Sequence, residues 1–184
     1  NDLQRDQSGN LIFAGSFNGT VDCDPSSSVY HLNSPGNFSA LVLKYSNSGQ
    51  FLWGKAFNSP SSSSAKTFIL DSADNILVGG NFYWEIQFTG NPERYRKSSG
   101  LEEFYLSYIH KNGQVGNVSV FGSVGPESIE HLTYSKGFVG VAGSLYFFDT
   151  DLDPSVNVNK FKGSQGQDGF IARYHLCTTP EVSI

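Results

Sequence analysis

Asp6-Gln-Ser-Gly9-Asn10-Leu-Ile-Phe-Ala-Gly15-Ser-Phe17 returns as Asp71-Ser-Ala-Asp74-Asn75-Ile-Leu-Val-Gly-Gly80-Asn-Phe82, and again as Ser135-Lys-Gly137-Phe138-Val-Gly-Val-Ala-Gly143-Ser-Leu145. A second block keeps step with it: Ala40-Leu-Val-Leu-Lys-Tyr45, Phe104-Tyr-Leu-Ser-Tyr-Ile109 and Gly169-Phe-Ile-Ala-Arg-Tyr174. Gly15, Gly80 and Gly143 are 65 and 63 residues apart; Tyr45, Ile109 and Tyr174 are 64 and 65 apart. Two blocks recurring together at one period define a repeat protein, in which each unit buries its apolar face against the next in a stacked or radial array. Function in such an array is spread over units, so a single short motif carries less weight.

Each unit reads as four strands. In the second they are Lys66–Leu70, Asn75–Phe82, Glu103–Ile109 and Gln114–Phe121, with a long irregular stretch expected from Tyr83 to Leu101. The turns Ser46-Asn-Ser-Gly49 and His110-Lys-Asn-Gly113 supply the positive φ that tight hairpins need. Leu41, Leu43 and Tyr45 share one face of their strand, and Ala40, Val42 and Lys44 the other. Both faces are mostly apolar, as for a strand packed between neighbouring sheets. The recurrent mid-strand glycines predict a close backbone approach or a bulge at the crowded inner end of each unit.

The expected fold is therefore all-β: a propeller-like array of four-stranded antiparallel blades, with about three repeats of roughly 64 residues. Blade one spans 1–64 and blade two 65–129; an incomplete third spans 130–176, and 177–184 is a last strand or the start of a following module. Ser59-Pro-Ser-Ser-Ser-Ser64 reads as a polar bridge between units. A propeller holds ~4–8 blades, so even the smallest needs about 256 residues at this period. The 184 residues form a partial propeller, completed by further blades or further copies of the chain, or an open array. With no initiating Met, the chain reads as a fragment, a processed form or an excised piece.

Composition narrows the partners. The hydrophobic fraction is 38% and the charged fraction 16%, which belongs to a globular chain. A net charge of −5 argues against nucleic acid or an anionic membrane surface as the main partner. No run approaches the ~20 apolar residues of a membrane span. Cys23 and Cys177 lie in the first and third repeats; their spacing does not demand a disulfide, and two small half-buried thiols are the other reading.

The first repeat carries Asp6, Gly9-Asn10, Gly15-Ser-Phe17, Gly19-Thr20-Val-Asp22-Cys-Asp24-Pro25, Lys44-Tyr45, Gly49 and Trp53. In these residues the chain resembles the bacterial β-propeller repeat family often called SBBP. Units of that family run as D-x-x-G-N-hydrophobic, then G-x-F-x-G-T-x-D-F-D-P, D-x-F-hydrophobic-x-K-Y and G-x-x-x-W. The third repeat keeps Gly143, Asp151-Leu-Asp153-Pro154, Asp168-Gly-Phe170-Ile171 and Arg173-Tyr174; the second departs most, with Gln87-Phe-Thr-Gly90 at the Asp-Pro element and Tyr108-Ile109 for Lys-Tyr. The resemblance covers about the first 175 residues. It implies a secreted or cell-surface bacterial scaffold or binding module, often set among adhesion-type domains, with no established catalytic chemistry.

Candidate sites follow from residue type. Tyr83-Trp84 and Glu93-Arg94-Tyr95-Arg96-Lys97 join aromatic faces to charged donors, a combination suited to a glycan or peptide; the competing reading makes the aromatics anchors for their own blade. Asp149, Asp151 and Asp153 place carboxylates at alternate residues, a pattern that serves Ca²⁺ or, more simply, a Pro-stopped strand end. Calcium is the one cofactor this pattern suggests. Ser72, in Asp71-Ser72-Ala73, resembles a glycosylation motif of exported bacterial proteins, and Asn18, Asn37 and Asn117 begin Asn-x-Ser/Thr patterns. No His pairing suits zinc, no Gly-x-Ser-x-Gly elbow is present, and Glu102-Glu103 point to opposite faces of a strand.

The expectation is a non-enzymatic segment acting as scaffold or as protein- or glycan-binding module. The alternatives are part of a glycan-cleaving propeller enzyme whose catalytic residues lie outside this chain, and a self-assembling blade fragment.

Overall fold

The computed structural model describes residues 1–88, 95–146, 150–153, 160–161 and 166–175; at 99 and 100 it describes the backbone alone. The chain is all-β, and no helix occurs among these residues, so none is long and apolar enough to cross a membrane.

The first repeat contributes β1 (Asp2–Arg5), β2 (Leu11–Phe17), β5 (Ser39–Tyr45) and β6 (Phe51–Asn58), paired antiparallel in that order. Between β2 and β5 it inserts a short hairpin, β3 (Thr20–Asp22) and β4 (His31–Asn33). The second repeat contributes β7 (Ser62–Leu70), β8 (Ile76–Phe88), β9 (Tyr95–Ile109) and β10 (Val115–Phe121), again antiparallel in order. Two rungs, Phe57↔Phe88 and Asn58↔Gln87, tie β6 to β8 and make one strongly curled sheet of both halves. The third repeat forms a separate sheet of β11 (Glu127–Ser135), β12 (Phe138–Tyr146) and β15 (Gln167–His175), with a hairpin of β13 (Thr150–Asp151) and β14 (Lys160–Phe161) between the last two.

Alternation along the strands assigns the cores. Ile12, Ala14, Ala40 and Val42 of the first half face Ile76, Val78, Phe82, Tyr105 and Ile109 of the second across the first core. The opposite face of the second half sends Leu77, Phe104, Leu106 and Phe121 against Ile129, Val141, Leu145 and Phe170 of the third sheet. A third core lies under the β3–β4 hairpin, where Cys23 and Leu32 meet Phe17, Leu41 and Ala56. The run Ile76-Leu77-Val78 is buried throughout because β8 packs on both sides.

Two of the three repeated glycines share a cause; Gly15 does not, since a Cβ there would meet the Phe13 ring and its strand pairs without a bulge. A Cβ on Gly80 would overlap the carbonyl of Ser64, and one on Gly143 would overlap that of Ser128. Both face bulges in the neighbouring strand, at Ala65/Thr67 and Ile129/His131. The close approach and the bulge expected from sequence are thus one feature, seen twice.

One expectation is corrected. Tyr83 to Leu101 is not irregular on either side of 89–94: β8 and β9 continue to Phe88 and from Tyr95, far beyond the equivalent strands of the other repeats. Ile86 and Phe88 of this extension are fully buried, and Phe88 packs on Phe57 and Tyr105 with centroids 4.8 and 5.1 Å apart. The aromatic side chains close the end of the first core, which stabilises strand over loop. Ser62–Ser64 of the expected polar bridge already belongs to β7.

Candidate functional site

The β8 extension is interrupted once. Phe82, Ile86 and Phe88 are buried, so plain alternation would place Trp84 among them. Trp84 instead has φ +70° at a register shift between Tyr83 and Glu85, and stands 66% exposed. Positive φ in a bulky residue is a strained conformation worth about 1–3 kcal/mol, and such strain concentrates at ligand-contacting positions. Bulges likewise re-aim side chains beside binding sites. Tyr83, next to it, is 42% exposed.

The surroundings are held by short polar contacts. The Phe38 carbonyl accepts from Ser63 N at 2.9 Å, and Asn37 N donates to the Ser61 carbonyl at 2.8 Å, so the loop before β5 is stitched to the start of β7. Ser59 Oγ donates to the Tyr83 carbonyl at 3.2 Å. This brings Phe38, half exposed, close to Tyr83.

Two recesses flank Tyr83. One, open and about 440 Å³, is lined by Asn37, Pro60, Ser61, Tyr83, Trp84 and Leu101. The other, about 170 Å³, lies among Phe38, Ser62, Ser64, Asn81, Tyr83 and Glu102. The Tyr83 hydroxyl donates to Glu102 Oε2 at 3.0 Å. Burial pushes the Glu102 carboxyl above its ordinary value and Glu130 adds to the rise, outweighing the Tyr83 hydroxyl, Lys66 and the Asn81 side chain, which act the other way. The Tyr83 phenol is raised by burial and by its bond to Glu102.

The other sequence candidates fall elsewhere. Tyr95 and Arg96 sit farther along the arm, outside both recesses; Arg96 donates to the Tyr95 carbonyl at 2.9 Å. Arg94 lies outside the described residues, as do Asp149 and Cys177. Asp151 Oδ1 accepts from Asp153 N at 3.0 Å, the turn-forming use of an Asp-x-Asp element. The same use recurs at Asp22, whose Oδ1 accepts from Asp24 N and Tyr30 N and whose carboxyl is thereby held low. No three His, Cys, Asp or Glu residues among those described are grouped to hold a metal. Ser72 is exposed in the β7–β8 turn, and its carbonyl accepts from Gln7 Nε2 at 3.1 Å. Cys23 is a free, buried thiol, raised by that burial.

Two features escaped sequence reading. Phe38 sits in a Ser- and Gly-rich run that reads as plain loop. Glu102 reads from sequence only as the neighbour of Glu103 on the opposite face, and Glu103 is indeed buried beside Gly122 and acts electrostatically on Glu127, across the sheet from Tyr83. Alternation gave that divergence, but the Tyr83–Glu102 contact needs the cross-strand register Tyr83↔Glu102.

No protein-family model matches this chain, and no curated protein shows significant similarity to it.

Proposed function

We propose that the chain is a non-catalytic segment of a secreted or cell-surface bacterial protein of the β-propeller type, whose second repeat presents a glycan-binding surface. The observation that carries this reading is Trp84, turned out of its strand by a positive φ and exposed beside Tyr83 above an open recess. The apolar C–H face of a sugar ring packs on such a ring, while its hydroxyls find Ser61, Asn37 and, past Tyr83, Glu102. A rigid sheet holding the aromatics limits the entropy lost on binding. The reading is tested by titrating neutral oligosaccharides against the wild type and Trp84→Asn. Asn tolerates positive φ, so the variant is expected to fold at least as stably while losing about tenfold or more in affinity, roughly 1.4 kcal/mol. Unchanged affinity in a folded variant sinks the proposal.

A second reading, association with further repeats or further copies, is favoured by Ile171. It stands three residues before Tyr174, as Val42 does before Tyr45 and Leu106 before Ile109. Val42 is buried in the first core and Leu106 in the second, while Ile171 is 88% exposed. Light scattering over a concentration series is expected to show association that Ile171→Ser weakens; a concentration-independent monomer counts against it.

A further inference from the structure

We infer that the smaller recess, between Phe38 and Tyr83, is a subsite for the ammonium group of an amino sugar, held by Glu102; this rests on reading the adjoining Tyr83–Trp84 surface as glycan-binding. The recess holds about 170 Å³, well below the ~300–1,000 Å³ of pockets for drug-sized ligands, and so admits one ring or its substituent. It shares Tyr83 with the open recess under Trp84, so adjacent rings of one chain would occupy the two.

Its walls select for positive charge. Phe38 and Tyr83 offer aromatic rings, and an ammonium is attracted to such faces. Glu102 is the one ionisable acid or base among the described lining residues apart from the Tyr83 phenol, so the carboxylate has no cationic partner in the recess itself. Lys66 and Glu130 act on it from outside with opposite signs. Tyr83 already donates to Oε2 and orients the group. A sugar ammonium adds a charge-assisted hydrogen bond, and Ser62 and Ser64 serve the neighbouring hydroxyls. An acidic sugar would meet Glu102 as a like charge and an acetylated amine would forgo the charge-assisted bond.

The test is calorimetric titration of the whole chain with a β-linked glucosamine oligomer and with its fully N-acetylated counterpart of equal length. The wild type is expected to favour the amine by about tenfold, the size of one charge-assisted hydrogen bond. Glu102→Gln is expected to lose the preference and bind the two oligomers with about equal affinity. Equal binding of the two by the wild type, with Trp84→Asn weakening both, overturns the subsite and leaves the aromatic surface standing. No binding of either oligomer overturns both. The wild-type comparison needs no variant, so a poorly folding Glu102→Gln does not rescue the idea.

Discussion

Lys44 Nζ lies 2.8 Å from Asp6 Oδ2, and one repeat later the Tyr108 hydroxyl donates to Asp71 Oδ2 at 2.7 Å. Both aspartates organise a five-residue turn: Asp6 accepts from Ser8 N, Asn10 N and Asn10 Nδ2, and Asp71 from Ala73 N, Asn75 N and Asn75 Nδ2. The strand after next supplies the remaining partner, a cation in one repeat and a phenol in the other. Lys44 and Asp6 are both buried, so the ion pair is sheltered from solvent.

Removing one member of that pair leaves a buried carboxylate short of its counter-charge. Lys44→Ala is expected to destabilise by about 3 kcal/mol. Lys44→Tyr, which copies the arrangement of the second repeat, is expected to lose clearly less. Chemical denaturation of the three proteins measures both values; equal losses would show that the phenol cannot replace the ammonium here.

The acid limb of the stability curve follows from the same two turns. Burial alone would push Asp71 up, but hydrogen bonds from Tyr108, Asn75 and Ala73 outweigh it and hold the carboxyl below its ordinary range. At Asp6, bonds from Lys44 and Asn10 outweigh burial in the same way. A folded value below the unfolded one, about 3.9, means that the stabilisation is complete above that pH and is lost as pH falls through the folded value. Thermal melts should therefore fall steeply below about pH 4, and Asp71→Asn should make that limb shallower while lowering stability at neutral pH.

Glu127 works in the opposite sense. Its Oε1 accepts from Ser123 Oγ and from Thr150 Oγ1, the latter at 2.9 Å, while buried Oε2 has no hydrogen-bond partner among the described residues. Burial raises the carboxyl, and Glu103 adds to the rise. The unfolded chain then releases its proton first, at about pH 4.3, so a penalty grows as pH rises from there through the folded value. Glu127→Gln should be more stable than wild type by about 1 kcal/mol at neutral pH, the advantage vanishing in acid. A variant no more stable at neutral pH would refute the assignment.

Gly80 faces the Ser64 carbonyl and the Tyr105 hydroxyl so closely that a methyl group overlaps both. Tyr105 is fully buried and donates to that same carbonyl at 3.1 Å, so neither neighbour is free to retreat. Gly80→Ala should destabilise by about 3 kcal/mol. Gly166→Ala, with no described residue within 4 Å of the added carbon, is the control and should be near neutral in the same denaturation experiment.

The period, the all-β class, the strand cores and the turns were legible in the sequence because each depends on local chemistry repeated at fixed spacing: alternating apolar side chains, turn-forming Asp, Asn and Gly, and small residues where backbones meet. The departures of the second repeat needed the tertiary structure. Tyr45 and Tyr174 each donate at 2.7 Å to a carbonyl of an inserted hairpin, those of Cys23 and Leu152. The second repeat has Ile109 there, buried in the first core, and between its second and third strands it has the long β8 and β9 arms rather than that hairpin. That arm reads as loop from sequence because its stabilisation comes from Phe57 and Tyr105, far away in the chain. The candidate site divides in the same way. Tyr83 and Trp84 are visible as an aromatic pair, but alternation would bury Trp84, and only a bulge formed against β9 turns it outward. Phe38 and Glu102 come to Tyr83 through a bridge between loop and strand and a cross-strand register, both set by how the repeats pack rather than by the residues beside them.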